Sequence, residues 1–408
     1  MAFERDVAEI LKRSELFSSH FTGFSLFDIE KNAFVASTNS TLLFTPASNT
    51  KILTMYVTLK SFRDSIPSFL YQKNGNVTHI QPFADPTFLY QPFKEQPGLH
   101  FLNNQKSIHV HLPEDALAKF GSGWAWDDYK YAFQTERSWF PIYGNAVEIA
   151  RKKGALSIIP SFFTDFTELI PGDTSRAPER ELASNLFKMQ ISADTTSFKA
   201  RIPFIGSREL LLQLLSDTLK VPVRFADSNN EARVWTDTLF SQPVDSVLAL
   251  MMKPSDNFLA EQLLIQCARQ NGYDNIKDFI TFARTVWLPE LNDMVWVDGS
   301  GLSRYNLIAP VDQVRLLKKC YDEFGWDRLK GILTCGGEGT LEDWYLSDTT
   351  YLYGKTGTLS NNHNLSGFLI TDTGKILIFS FMNNHFTKPT EEVKEAMEAF
   401  ILDLKRAY

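Results

Sequence analysis

The two ends of this chain carry the strand and helix patterns of a single domain. Residues 3–14 have apolar side chains at helical spacing, and residues 21–36 read as a hairpin around a polar turn. Residues 364–382 read as a second hairpin, and a helix with one apolar stripe begins near Thr390. We therefore expect both ends to meet in one α/β domain.

The middle of the chain has a different character. From about residue 66 to 223 it is rich in short β-like runs and in Pro, Gly and Asp. A chain of 408 residues is long enough for two or more domains. We predict that residues 1–65 and 224–408 form a terminal domain. Residues 66–223 should fold separately as a β-rich insertion, with room for two nested subdomains.

Charge and composition exclude several classes of function. The formal net charge is −7 and no run of Lys or Arg occurs, which argues against nucleic acid and against an anionic membrane surface. The sequence has no stretch of about 20 apolar residues, and so it predicts no segment that crosses a membrane. The widely spaced cysteines fit neither a disulfide framework nor a zinc site, and we expect no metal and no cofactor. The first residues lack the apolar core of a signal peptide, so the protein either stays inside the cell or has lost an export signal.

A serine and a lysine three positions apart, Ser48 and Lys51, begin an almost wholly apolar stretch that is typical of a buried helix. At the start of such a helix, free backbone N–H groups favour a developing oxyanion on a reacting serine. Lys51 would lie one turn further on the same face. Desolvation and nearby positive charge would lower its pKa and make it a base. The alternative is a helix-capping serine followed by an exposed lysine.

A second pair, Ser255 and Asn257, lies between two apolar helical stretches that meet near Pro254. In such a corner the Ser255 hydroxyl can relay a proton, and the Asn257 amide can donate to a substrate carbonyl. The alternative is a plain N-cap for the second helix.

A third string, Lys355 to Thr358, comes just before the C-terminal hairpin. A lysine and two threonines on an edge strand, Lys355, Thr356 and Thr358, can hold a substrate carboxylate, and Gly357 lets a substrate backbone approach closely. The Thr358 N–H would be a second oxyanion donor. The alternative is a surface turn. Together, the three strings supply what acyl transfer through a serine requires.

The order of these strings is the signature of the penicillin-recognising serine enzymes. The chain resembles, more closely, the D-Ala-D-Ala carboxypeptidase/endopeptidase family of low-molecular-mass penicillin-binding proteins, peptidase family S13. Three further stretches carry the resemblance: Ala-Asp-Pro-Thr at 84–87, Gly-Trp-Ala-Trp-Asp-Asp-Tyr at 123–129 and Asp-Gly-Ser-Gly-Leu-Ser-Arg at 298–304. The long insertion after the first string is also typical of this family. The resemblance spans about residues 20–385.

The resemblance implies the fold shared by penicillin-binding proteins and serine β-lactamases, an antiparallel sheet flanked by helices, here with a large β-rich insertion. It also implies that Ser48 forms an acyl-enzyme with the penultimate D-Ala of a peptidoglycan stem peptide. Lys51 would be the base, Ser255 would pass the proton to the leaving amine, and Asn257 would position the substrate amide. β-Lactams would acylate Ser48 in the same way, and the protein would work in the cell envelope or periplasm.

Substrate binding is implied for the remaining residues. Lys355 and Thr356 would hold the terminal carboxylate beside Thr358, whose N–H would complete the oxyanion hole with that of Ser48. Asp128, with Phe133 nearby, would bind the far end of the stem peptide. The family often adds an arginine there, but this chain has Trp344 at that position and Glu338 in place of an aspartate. This departure puts recognition of a diaminopimelate carboxylate in doubt.

Two alternatives remain beside a D,D-peptidase with carboxypeptidase or endopeptidase action. A class A serine β-lactamase would need a Glu-x-x-Leu-Asn string, which does not occur between Ser48 and Ser255. A non-catalytic penicillin-binding sensor or scaffold would not need the complete set of reactive residues. A metal site at His109 and His111 is disfavoured, because no third ligand is evident.

Overall fold

The computed structural model describes residues 2–113, 117–173, 178–192, 197–226, 234–291 and 293–408. The chain divides into two compact units. The first comprises Met1–Arg63, Gly121–Gly123 and Val244–Tyr408, and the second comprises Asp64–Phe120 and Trp124–Pro243.

The first unit is built on a six-stranded antiparallel sheet. In spatial order its strands are Thr334–Cys335, Leu352–Leu359, Asn362–Ile370, Ile376–Asn384, Phe21–Asp28 and Ala33–Thr38. The pairing of Phe21–Asp28 with Ile376–Asn384 joins the two ends of the chain, as the sequence pattern predicted.

Helices cover both faces of this sheet. The helices of the unit are Ala2–Arg13, Glu15–Ser18, Lys51–Ser61, Val244–Met252, Asn257–Gln270, Ile276–Phe282, Pro310–Phe324, Trp326–Ile332 and Thr390–Ala407. The predicted apolar stripe of the last helix is buried against one face, where Phe400 packs edge-on against Phe24 and Phe381. Burying each such side chain contributes about 1.5–3 kcal/mol. Pro310–Phe324 packs on the other face.

In its described residues, the second unit contains three small sheets around its own apolar core, to which Phe69, Phe140, Phe163 and Phe187 contribute. In spatial order, the five-stranded sheet consists of Val223–Phe225, Ser107–Val110, Val77–Pro82, Ser65–Asn74 and Asp237–Pro243. The three-stranded sheets are Phe198–Pro203, Ala146–Lys152 and Ala155–Ile159, and Thr167–Pro171, Phe187–Ile191 and Glu179–Arg180. The two helices of the described part are Pro97–Asn103 and Arg208–Thr218.

The division of the chain differs from the predicted boundaries at the end of the insertion. Asp237–Pro243, which the sequence assigned to the terminal domain, pairs with Ser65–Asn74 in the sheet of the second unit. The division therefore falls at Pro243 and not near residue 223. The predicted helix at 207–219 exists, but it does not end the insertion, because two further strands of the same sheet follow it.

Candidate active site

Ser48 lies in a tight 3₁₀ turn, Ala47–Thr50, that leads directly into the helix Lys51–Ser61. Residues 51–59 of this helix are all buried, which agrees with their apolar character on nearly all sides. The preceding residue, Ala47, has a positive φ of 49°, a conformation that L-residues adopt rarely. The turn therefore places the half-buried Ser48 one turn ahead of Lys51 on a rigid support.

Two asparagines from the central strands fix the chain that enters this turn. The Asn364 amide donates to the carbonyl oxygens of Thr45 and Pro46, each at 3.0 Å. The Asn384 side chain accepts from the Thr45 N–H at 2.7 Å. Sequence reasoning missed both residues. No local pattern singles them out, because the same two strands also contain Asn362 and Asn383.

Lys51 is the centre of the hydrogen-bond network. Its ammonium group donates to the Ser48 hydroxyl at 2.9 Å, to the Asn257 side-chain oxygen at 2.5 Å and to the Ser300 carbonyl at 2.8 Å. The side chain is fully buried. Burial lowers the pKa of Lys51 to about 8, against the opposing negative charges of Asp298, Asp256 and Glu261. The structure thus brings Ser48, Lys51 and Asn257 together, and the lysine suits the role of a base.

Ser255 lies in the predicted corner between Val244–Met252 and Asn257–Gln270. The N-cap of the second helix is not Ser255 but Asp256, whose carboxylate accepts from the Leu259 N–H at 2.9 Å. Ser255 itself has a positive φ of 64°. A non-glycine residue in this region is uncommon and often marks a functional position.

Lys355 and Thr356 lie on Leu352–Leu359, the strand next to the edge of the sheet. The outer strand pairs only Thr334 with Gly354 and Cys335 with Tyr353, so that Lys355 to Leu359 extend beyond it. Lys355 is fully buried and donates to the Thr356 carbonyl at 3.0 Å. Burial and the charge of Lys51 hold the pKa of Lys355 well below its usual value.

Gly357 has a role that the sequence did not reveal. A Cβ at this position would overlap the Pro46 carbonyl oxygen and press on the Asn49 backbone nitrogen. The Asn49 amide also donates to the Lys355 carbonyl at 2.9 Å. Gly357 thus lets the strand of Lys355 lie directly against the turn of Ser48.

The hydroxyl of Thr358, an exposed residue, lies 2.8 Å from Nδ1 of His363 on the neighbouring strand. Burial lowers the pKa of His363 to about 3, with smaller contributions from the charges of Lys394 and Lys355. The imidazole is therefore neutral at physiological pH. Its hydrogen bond holds the Thr358 hydroxyl in place without adding a charge. Sequence reasoning missed His363, because only the strand register reveals this pairing.

The turn at residues 298–301 packs against the turn that carries Ser48. Gly301 has a φ of 85°, and a Cβ there would overlap the Ala47 carbonyl oxygen. The Thr54 hydroxyl donates to the Gly299 carbonyl at 2.7 Å. The stretch that resembles the S13 family therefore lies against the turn of Ser48.

Gly301→Ala should lower the thermal unfolding midpoint much more than Gly374→Ala. Gly374 has nearly the same φ, 84°, but no atom lies within 4 Å of a Cβ placed there. The control therefore carries only the backbone penalty of about 1–2 kcal/mol, whereas Gly301→Ala adds overpacking of about 1–3 kcal/mol. Equal midpoints for the two variants in differential scanning calorimetry would contradict this packing.

The remaining predicted binding residues, Asp128 and Phe133, belong to the second unit. Asp128 lies in the short turn Trp126–Lys130, and the Phe133 ring stacks on that of Tyr131 at a centroid distance of 5.3 Å. Their role in substrate binding stays a prediction.

At the position where the family often has an arginine, Trp344 lies in the first unit under the ammonium group of Lys394, 5.2 Å from the ring centroid. Glu338 forms an ion pair with Lys253 at 2.9 Å. No helix in the part of the chain that the structure describes is long and apolar enough to cross a membrane.

Comparison with known proteins identifies relatives of this chain. The model of the D-Ala-D-Ala carboxypeptidase 3 (S13) family matches residues 195–404. D-alanyl-D-alanine carboxypeptidase DacB of Haemophilus influenzae is 31% identical over 165 residues, which cover 37% of this chain and 34% of the relative. A carboxypeptidase of Mycobacterium tuberculosis is 28% identical over 202 residues, which cover 46% of this chain and 43% of the relative. The matches thus span less than half the length of these curated relatives.

Among solved structures, penicillin binding protein 4 from Haemophilus influenzae superimposes with a TM-score of 0.73. The superposition covers 98% of each chain at 18% sequence identity. The predicted fold, a helix-flanked antiparallel sheet of the penicillin-binding-protein type, is therefore confirmed.

Proposed function

Since this chain belongs to the D-Ala-D-Ala carboxypeptidase 3 (S13) family, we propose that it is a serine D,D-peptidase that cleaves D-Ala-linked bonds of peptidoglycan stem peptides through an acyl-enzyme on Ser48. The observation that carries this proposal is the Lys51 ammonium group, which donates to both the Ser48 hydroxyl and the Asn257 side chain. It links the first two strings of the sequence in one buried network.

Acylation begins when neutral Lys51 accepts the proton of the Ser48 hydroxyl. The Ser48 oxygen attacks the carbonyl carbon of the penultimate D-Ala, and the backbone N–H groups of Ser48 and Thr358 stabilise the resulting oxyanion. Ser255 passes the proton to the leaving amine, and the C–N bond breaks. Asn257 positions the amide of the substrate.

The C-terminal carboxylate of the substrate would bind at Lys355, Thr356 and Thr358. The Thr356 hydroxyl is already oriented by Thr340, to which it donates at 2.7 Å. A carboxylate next to the buried Lys355 ammonium group forms a charge-assisted hydrogen bond with it. The negative charge of the carboxylate also offsets the desolvation cost of the buried ammonium group. This requirement favours substrates with a free terminal carboxylate, as in carboxypeptidase action, while cross-linked D-Ala residues that end in a carboxylate also fit.

Water then attacks the acyl-enzyme and releases the shortened peptide from Ser48. A β-lactam would acylate Ser48 in the same way, because its strained amide takes the place of the D-Ala-D-Ala bond and its carboxylate the place of the terminal carboxylate. A peptidoglycan substrate implies that the protein works in the cell envelope, where peptidoglycan is found.

Three substrates test this function. They are a stem pentapeptide with lysine at its third position, its diaminopimelate counterpart and a cross-linked peptide dimer, with chromatographic detection of free D-Ala or of separated stems. We expect cleavage of at least one substrate and a penicilloyl adduct that persists for minutes or longer. Loss of the adduct within seconds would instead indicate a β-lactamase. Stable acylation without cleavage of any substrate would indicate a penicillin-binding sensor.

The rate of β-lactam acylation should depend on pH through Lys51. Its pKa is lowered to about 8, and it accepts a proton only in its neutral form. The rate constant should therefore rise about tenfold per pH unit below that value and level off above it. Stopped-flow measurement of acylation between pH 5.5 and pH 9.5 checks this expectation, and a flat profile would contradict it.

A further inference from the structure

The third acceptor of the Lys51 ammonium group lies outside the three reactive strings. It is the backbone carbonyl of Ser300, at 2.8 Å. A carbonyl can hold an ammonium group in place only if its own peptide is fixed. Two buried carboxylates, Asp298 and Glu261, fix the peptides on either side of this residue.

Asp298 anchors the turn from within. Its side chain is fully buried, and one carboxylate oxygen accepts from the Gly301 N–H at 2.9 Å and from the Asn306 amide at 2.7 Å. The other oxygen accepts from the Ser303 N–H at 2.7 Å. Hydrogen bonds to a carboxylate are stronger than those between neutral groups. Three hydrogen bonds to this single side chain therefore hold the turn and the residues that follow it.

Glu261 anchors the same turn from the helix Asn257–Gln270. Its side chain is 3% exposed, and its carboxylate accepts from the Ser300 N–H at 2.7 Å. Since the N–H of Ser300 is held by Glu261 and the next N–H by Asp298, the Ser300 carbonyl is directed to Lys51. The helix and the turn thus both hold the carbonyl that accepts from Lys51.

The same carboxylates also supply charge. The charges that act on Lys51 come from Asp298 in the turn, from Glu261 in the second helix and from Asp256 at the N-cap of that helix. On the neighbouring strand, the charge of Lys51 lowers the pKa of Lys355. The three carboxylates raise the pKa of Lys51 against the stronger effect of burial. Without them the lysine would be a weaker base.

We propose that Asp298 and Glu261 are positioning residues for Lys51: they hold the Ser300 carbonyl as an acceptor for its ammonium group and stabilise the positive charge that Lys51 gains when it takes the Ser48 proton. This inference rests on the proposed acylation of Ser48. No proton leaves or enters the carboxylates, and the proton taken from Ser48 stays on Lys51 until Ser255 passes it on.

Two variants of Glu261 separate charge from position. Glu261→Gln keeps an oxygen for the Ser300 N–H but removes the charge. The midpoint of the pH profile of β-lactam acylation should therefore move down by about one pH unit. Glu261→Asp keeps the charge but withdraws the carboxylate by one methylene. Its plateau rate should fall about tenfold or more, with a midpoint near that of the unaltered protein.

Glu323→Gln is the matched control. Glu323 lies near the far end of the helix Lys51–Ser61, where it bonds to Tyr56 and Lys60. Its variant should keep both the midpoint and the plateau. An unshifted midpoint for Glu261→Gln would overturn the charge role of Glu261. An unchanged plateau for Glu261→Asp, or a change in the unfolding temperature alone, would overturn its positioning role. Failure of the unaltered protein to form an adduct on Ser48 would overturn the proposed function instead, so the two failures are distinguishable.

Discussion

Replacement of Ser48 by alanine should abolish both penicillin labelling and D-Ala release. The variant lacks the only atom that forms the acyl bond in the proposed mechanism, and loss of a serine nucleophile lowers turnover by at least about 10⁴-fold in enzymes of comparable chemistry. The protein should still fold, because Lys51 keeps the Asn257 side chain and the Ser300 carbonyl as acceptors. Fluorescent penicillin labelling and an assay for free D-Ala measure the two losses separately.

Ser61→Ala provides the control, at the other end of the same helix. The Ser61 hydroxyl donates to the Val57 carbonyl at 2.7 Å and has no role in the proposed reaction. This variant should retain labelling and D-Ala release. D-Ala release that persists in Ser48→Ala, with circular dichroism unchanged, would show that another residue is the nucleophile.

Replacement of Lys51 should have the second largest effect. Lys51→Met removes the base while filling a similar volume, and we expect acylation by a β-lactam to slow by about 10²–10⁴-fold. The fold should survive, since removal of a buried charge relieves a desolvation penalty even as three acceptors lose their donor. Acylation rates measured at saturating β-lactam, together with thermal unfolding, test both statements.

Lys51→Arg distinguishes a base from a mere positive charge. A guanidinium group stays protonated in proteins, so it can stabilise charge but cannot take the Ser48 proton. We expect this variant to be as impaired as Lys51→Met, while Lys60→Met on the exposed side of the same helix stays active. Near-normal acylation by Lys51→Arg would show that the base lies elsewhere.

The parts of the fold and site that the sequence predicted are those with local signals. The buried helix after Ser48 follows from its apolar residues, and the corner at Ser255 follows from two apolar helical runs around Pro254. The terminal hairpins and the last helix also have regular periodicity. Short-range patterns of this kind act within a few residues and are visible without the fold.

The parts that could not be predicted depend on contacts between distant positions. Asn364 holds the Pro46 carbonyl across more than three hundred positions, and the Ser300 carbonyl reaches Lys51 across about two hundred and fifty. A glycine at 357 could be explained by substrate approach alone until Pro46 was found against it. The pairing of Asp237–Pro243 with Ser65–Asn74 could not be predicted for the same reason. The two strands are far apart in the sequence, and no local pattern identifies one as the partner of the other.

The most direct test of the account is a map of the residue that penicillin modifies. The protein is incubated with benzylpenicillin, digested with a protease and analysed by tandem mass spectrometry. We expect the mass of one intact penicillin on the peptide that contains Ser48, with fragment ions that assign it to that residue. An adduct on Ser255 or on any other residue, or no adduct at all, would contradict the central claim that Ser48 is the nucleophile.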